Sequence, residues 1–337
     1  MSLRVTTQPT DQVDAMPASR RLQLRRESKQ GRKAARAKLG KLKSNLVSQK
    51  LQVKYALHFN SFIEFCNAQG GVPRSHTAMD GTCQKYIEEL WEEGEAKSKA
   101  AYTLAAIQHF LPYVKHHLSG AWRLVTAWEK LEMPNRCIPL CPQVVFAIAG
   151  LLHQWQQPQM GLAVALCFGL LLRTGELFQI RAHWCHFSAG NKECVVRFYH
   201  SKGLQLGNKK AEEVVLREKV TPKVLSQLCT NKLPGEPLVD FTAAQFRKYF
   251  SQAIKHLGLL GKYQPYSLRR GGATEYFRRS GRFDLCMELG RWQNLKTCRM
   301  YVQDAMATTA RISYSPQQNA MFQTLGQPFL QALQKHG

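Results

Sequence analysis

The sequence predicts a mainly α protein with a small antiparallel β-sheet, an N-terminal helical bundle followed by a mixed α/β domain. Three observations carry that expectation. Apolar residues recur at three- and four-residue spacing along much of the chain. Two short β-rich runs, Glu193 to Phe198 and Glu213 to Leu216, interrupt them as a hairpin would. A proline-containing break from Pro134 to Pro142 divides a chain whose 337 residues suffice for two cores.

Residues 1–44 come first and lack apolar periodicity. Arg20 to Lys43 holds eleven basic residues against one acid, Glu27, the composition of a disordered basic arm. Such a cluster suits a DNA backbone, a nuclear address signal or an Arg-rich transit segment, with a solvated tail as the plain alternative. The bundle is expected over 45–133. Leu51, Tyr55, Phe59, Phe62 and Cys66 mark an amphipathic helix, and Thr82 to Glu93, Ser98 to His117 and Ala121 to Leu131 follow between short Gly-, Ser- and Pro-containing breaks.

Residues 134–141 read as a linker, and 142–307 as the second domain. It opens with helices at Gln143 to His153 and Gly161 to Ile180, passes through the hairpin, and returns to helical patterns from Thr242 to Tyr301. Between the β-rich runs, HSKGLQLGNKK is polar, Gly-containing and basic, an exposed loop able to approach phosphate. The remaining 308–337 form a C-terminal tail whose MFQTLGQPFLQALQ segment suits docking on a neighbouring copy. No internal repeat is present.

Lys and Arg number 47 against 23 Asp and Glu, a formal net charge of +24, which favours a polyanionic partner, nucleic acid first. A membrane span is not expected, because the longest apolar run, near Leu162 to Leu172, falls short of the roughly 18 to 20 residues required. Ten cysteines without a CxxC pair, and no apolar leader, predict free thiols in an intracellular, reducing compartment, nuclear in a eukaryotic host.

Three segments carry candidate chemistry: Arg173 in LLLRTGELFQI, Arg269 in YSLRRGGATEYF, and Tyr301 in LGRWQNLKTCRMYVQ. Together they resemble the catalytic domain of tyrosine recombinases and phage-type integrases. The resemblance covers about Pro142 to Ala305. Arg173 with Glu176 resembles the family's first box, Lys202 falls in the hairpin loop, and Tyr266-Ser267-Leu268-Arg269 resembles the His-x-x-Arg box. Trp292 precedes Tyr301 by the family's nine residues (301 − 292 = 9). The RRGGAT wording at Arg269 to Thr274 and the later GRW are most similar to recombinases of eukaryotic mobile elements such as Cryptons and DIRS-type retroelements.

The resemblance implies a fold of the DNA breaking-rejoining enzyme type, an upstream core-binding domain, a C-shaped clamp on double-stranded DNA, and a homo-oligomer, a tetramer, on that DNA. It also implies strand transfer through a 3′-phosphotyrosine intermediate with no metal, ATP or other cofactor. The residue types suit that chemistry. Guanidinium forks at Arg173 and Arg269 match the charge that builds on nonbridging phosphate oxygens. Tyr301 serves as covalent nucleophile, favoured as phenolate by nearby cations. Lys202 is the candidate general acid for the leaving 5′-oxygen, with Lys209 and Lys210 as competitors for that role or as DNA contacts, alongside Arg270.

Trp292 can donate to phosphate only through its indole nitrogen, and Glu176 is suited to orienting the basic side chains. Tyr266 stands where the family carries histidine, which removes a group able to gain and lose a proton near neutral pH. Two other functions are consistent with the same residues. One is DNA relaxation of the type IB topoisomerase kind; the other is a noncatalytic DNA-binding descendant of a mobile-element recombinase. His183-Trp184-Cys185-His186 has no second ligand pair at zinc-finger spacing, and no Walker loop, dinucleotide fingerprint or paired-carboxylate metal site competes.

Overall fold

The computed structural model describes residues 28–38, 40–132, 135–191, 193–199, 212–217 and 220–335. Within the predicted arm, helix α1 (Lys29–Ala37) forms where Ser28 caps a run of alanine, lysine and arginine, its hydroxyl accepting the Gly31 N–H at 3.2 Å. These residue types are strong helix formers, so residues 29–37 of the arm are helical; residues 1–27 lie outside the described part.

The chain separates into two compact units, one ending at Pro134 and the other beginning with Asn135. In the first, α2 (Gln49–Ala68), α3 (His76–Glu92), α4 (Lys97–Phe110) and α5 (Ser119–Leu131) enclose one core. Phe59, Phe62, Met79, Leu90, Leu104, Ile107 and Trp128 meet in it. The predicted first helix is α2, its apolar stripe turned inward. Ser98 to His117, expected as one helix, ends at Phe110 because Pro112 cannot continue the ladder. Asp80 on α3 accepts the Gly120 and Ala121 N–H groups at 3.0 Å each, placing a carboxylate at the N-terminus of α5.

The second unit is built on α6 (Pro142–Gln154) and α7 (Pro158–Gly169). The single helix expected over Gly161 to Ile180 is broken. The chain leaves α7 through Leu171, whose φ of 47° is left-handed, and re-enters a single turn, α8 (Thr174–Leu177). A leucine there is strained by about 1–2 kcal/mol. The hairpin appears as β2 (Cys194–Phe198) and β3 (Glu212–Leu216), joined by a strand too short to announce itself, β1 (Cys185–Phe187), in the antiparallel order β1-β2-β3. Cys194 pairs with Leu216 and Phe198 with Glu212. Cys194, Val196 and Phe198 face the core, whereas Arg197 and Glu213 pair at 2.8 Å on the outer face.

Helices α9 (Thr221–Cys229) and α10 (Ala243–His256) lead to α11 (Tyr266–Ser280), α12 (Phe283–Gly290) and α13 (Leu295–Tyr301). The expected tail is instead α14 (Asp304–Ile312) and α15 (Pro316–Lys335). Helix α15 lies along α6, with Phe322, Phe329 and Leu333 buried in the same core. Its apolar spacing, assigned to a neighbour from the sequence, is satisfied within the chain. Among the described residues no helix is long and apolar enough to cross a membrane.

Candidate active site

The RRGG segment explains how α11 reaches its neighbours. A Cβ on Gly271 would lie 2.0 Å from the Leu140 carbonyl oxygen, and one on Gly272 would lie 2.0 Å from that of Phe168. Only glycine permits this approach of α11 to the segment before α6 and to α7. Helical spacing then turns Tyr266, Arg269 and Arg270, at i, i+3 and i+4, toward one side.

Arg269 is fully buried. One terminal nitrogen donates to the Leu171 carbonyl and the other to the Gly290 carbonyl at 2.7 Å. The left-handed turn at Leu171 thus delivers the carbonyl that holds this arginine. The guanidinium carbon lies 4.8 Å from the Trp292 ring centre and 5.1 Å from that of Tyr301. Burial, then the neighbouring Arg291, brings its pKa down to about 10, which leaves it charged at neutral pH. The sequence reading gave Arg269 an open fork for phosphate. In the structure its terminal nitrogens are engaged by main chain, and it acts on Tyr301 as a buried charge.

Arg173 precedes α8 and is the more open guanidinium, its side chain 30% exposed. Glu176 binds it twice, through the Arg173 N–H at 2.8 Å and through its guanidinium. The same carboxylate is 3.8 Å from Arg269 and 2.7 Å from Arg291. Burial of Glu176 opposes its charge, but Arg291, Arg269 and Arg173 outweigh it and hold the carboxyl below its usual range.

Tyr301 closes α13 and is half-buried. Its ring lies 4.5 Å from that of Trp292, and its hydroxyl accepts a hydrogen bond from the Tyr266 hydroxyl. Burial would push the Tyr301 hydroxyl up; the bond from Tyr266 and the charges of Arg269 and Arg173 prevail and hold it below the ordinary tyrosine value. Trp292 is buried, and its indole nitrogen has no hydrogen-bond partner among the described residues.

The structure therefore brings together Arg173, Glu176, Tyr266, Arg269, Trp292 and Tyr301, whose ends lie 301 − 173 = 128 residues apart. Lys202, Lys209 and Lys210 lie outside the described residues. Arg270, expected to touch DNA, is buried: its guanidinium donates to the Met300 carbonyl at 3.3 Å. Thr274, one turn on, accepts the Gln303 N–H at 3.0 Å. Both fasten the backbone around Tyr301 to α11. Charge alone had suggested exposure, but a guanidinium that satisfies a carbonyl can be packed inside.

His183 and Trp184 form a short turn before edge strand β1. No group of three or more His, Cys, Asp or Glu among the described residues is arranged to hold a metal. Among the described residues, Arg291 joins the site although no motif or spacing pointed to it: its guanidinium donates to Glu176 at 2.7 Å. Beside Tyr301, Arg136, Lys296 and Arg299 line an open depression with Leu295, Met300 and Gln303.

The fold is that of the tyrosine recombinase catalytic domain, mostly helical with a small three-stranded antiparallel sheet. Among solved structures, the chain is similar to the Tn1549 transposon integrase in complex with transposon right end DNA, with a TM-score of 0.56 and 11% identity over 80% of this chain and 95% of that one. It is also similar to the XerH site-specific recombinase bound to difH substrate, with a TM-score of 0.54 and 13% identity over 79% of each chain. A third is a lambda integrase dimer bound to a COC′ core site, with a TM-score of 0.53 and 15% identity over 78% of this chain and 74% of that one. No protein-family model and no curated protein matches the sequence.

Proposed function

We propose that this chain is a DNA strand transferase of the tyrosine recombinase or integrase kind, acting on double-stranded DNA through a 3′-phosphotyrosine intermediate. The observation that carries the reading is the Tyr301 hydroxyl, held by Tyr266 in the field of Arg269 and Arg173, with the Trp292 ring 4.5 Å from its own. In the reaction, the Tyr301 oxygen attacks the scissile phosphorus and the bond to the 5′-oxygen breaks. One phosphodiester is exchanged for another, and attack by a 5′-hydroxyl reverses the step.

Arg173 faces the nonbridging oxygens, and the unpartnered indole nitrogen of Trp292 supplies a further donor. Arg269 lowers the cost of the phenolate from behind its ring. Lys202, or one of Lys209 and Lys210, protonates the leaving oxygen. The RRGGAT and GRW wording favours the mobile-element recombinases of the Crypton and DIRS kind, and assembly as a tetramer on DNA and a nuclear site of action accompany that reading.

The test is an SDS-resistant protein–DNA complex formed in EDTA on supercoiled plasmid and on DNA flanking the gene. The wild-type protein is expected to form it, and Tyr301→Phe to form none while still binding DNA. A complex of equal yield in the variant would remove Tyr301 from the chemistry. Tight binding with no complex from either protein would favour the noncatalytic descendant, and relaxation without strand exchange the topoisomerase.

A further inference from the structure

Arg291 lies between α12 and α13, at a residue whose φ of 56° is left-handed. That backbone is disfavoured for a residue with a Cβ, and here it directs a long cationic side chain inward until only 3% of it is exposed. The guanidinium donates to Glu176 at 2.7 Å and to the Leu171 carbonyl at 3.4 Å. Its Nε is 3.8 Å from Glu212, the first residue of β3, and its central carbon lies 4.2 Å from the ring centre of Phe198, the last residue of β2.

Glu176 is thus the meeting point of three guanidinium groups from segments remote in sequence, Arg173, Arg269 and Arg291. Arg269 is fixed by carbonyls and Arg291 by the turn that bears it, whereas Arg173 is the open member. The Glu176 Oε2 accepts from the Arg173 main-chain N–H and from Arg291, and with both in place the carboxylate is a fixed stop against which the Arg173 side chain is set.

We propose that Arg291 is a positioning residue for strand transfer: it anchors the Glu176 carboxylate so that Arg173 is aimed at the scissile phosphate, and it ties the β2–β3 pair to the same point. The role rests on the strand-transferase reading above. It requires a guanidinium, because one terminal nitrogen serves both Glu176 and the Leu171 carbonyl while the central carbon stays 4.2 Å from the Phe198 ring centre. A lysine supplies charge without that geometry.

The test compares wild type, Arg291→Lys and Arg291→Met in single-turnover adduct formation on two DNAs. One has an ordinary phosphate, and the other an uncharged methylphosphonate, at the position where the wild type is first shown to become attached. An uncharged linkage has less need of a correctly aimed Arg173. Both variants are expected to lose about 100-fold on phosphate DNA, the scale on which removal of one oxyanion donor acts, and less than about 10-fold on methylphosphonate.

A loss of the same size on both DNAs would make Arg291 a purely structural residue and overturn the proposal. If Arg291→Met does not fold, as judged by its melting curve, Arg291→Lys alone decides, since it keeps the charge. An absence of adduct from the wild-type protein would instead overturn the strand-transferase reading and this role together.

Discussion

A hydrogen bond between two phenols has a direction, and at Tyr266 and Tyr301 the surroundings set it. Burial, then the bond to Tyr301 and its charge, pushes the Tyr266 hydroxyl up, while Arg269 and Arg173 help to hold that of Tyr301 down. Tyr266 therefore keeps its proton where Tyr301 loses one, and it donates to the forming phenolate. It is no substitute for a histidine base, so the Tyr301 proton passes to water and the rate of adduct formation rises with pH until Tyr301 is ionised. Tyr266→Phe removes the donor, raises the Tyr301 pKa and moves that limb to higher pH. A hydrogen bond to a charged group is worth about 1.5–3 kcal/mol, roughly 10- to 100-fold in rate near neutrality, and the gap closes at alkaline pH. Single-turnover rates across the pH range check this; a loss of equal size at every pH would contradict it. At this scale the ordered residue types and the nine-residue step to Tyr301 made most of the site readable in the sequence. Arg270 and Arg291 were not, because their burial depends on the Met300 carbonyl and on a left-handed turn beside Glu176, neither of which leaves a spacing pattern.

Among the elements, glycine marks where helices touch backbone to backbone. A Cβ on Gly150 of α6 would sit 1.8 Å from the Leu325 carbonyl oxygen on α15, so one helix must move. Gly150→Ala is expected to destabilise the protein by about 1–3 kcal/mol, the usual cost of overpacking. Gly81, inside α3, has nothing within 4 Å of its ideal Cβ, and Gly81→Ala is expected to stabilise by about 0.5–1 kcal/mol through helix propensity. Thermal and urea denaturation of both variants give the comparison, and matching signs would refute the packing argument. The same contrast explains which elements were legible. Helices with a clear apolar stripe, such as α2, and the β-rich runs of β2 and β3 follow directly from periodicity. Strand β1 has three residues, too few to show a period. The break after α7 arises from a left-handed leucine that no propensity favours. Helix α15 shows its apolar face in sequence, but periodicity does not say whose core the face enters; the close approach of Gly150 on α6 to Leu325, and of Gly326 on α15 to Phe146, supplies that answer.

For the whole molecule the deciding quantity is charge. A formal charge of +24 would repel itself strongly; Glu176 offsets part of the buried charge, of Arg269 and Arg291, and other cations are left outward. On the first unit Lys50 and Lys54 are exposed on α2, with the Lys54 ammonium 3.5 Å from the Tyr102 ring centre. On the second, Arg136, Lys296 and Arg299 border the depression next to Tyr301. If these cations displace counterions from DNA, the logarithm of affinity falls linearly with the logarithm of salt concentration, by about 0.9 per phosphate neutralised. Six to ten contacts would cost about 10³- to 10⁵-fold between 50 and 200 mM salt. Tyr301→Phe is expected to give the wild-type slope, because a neutral phenol releases no counterion, although it loses the covalent adduct. Lys296→Ala and Arg299→Ala are each expected to flatten the slope by about one phosphate. Equilibrium binding of the full chain to duplex DNA over that salt range measures all of these. A shallow slope for the wild type would mean that its positive charge is not spent on the DNA backbone, and would remove the electrostatic support for a DNA substrate even with the Tyr301 site intact.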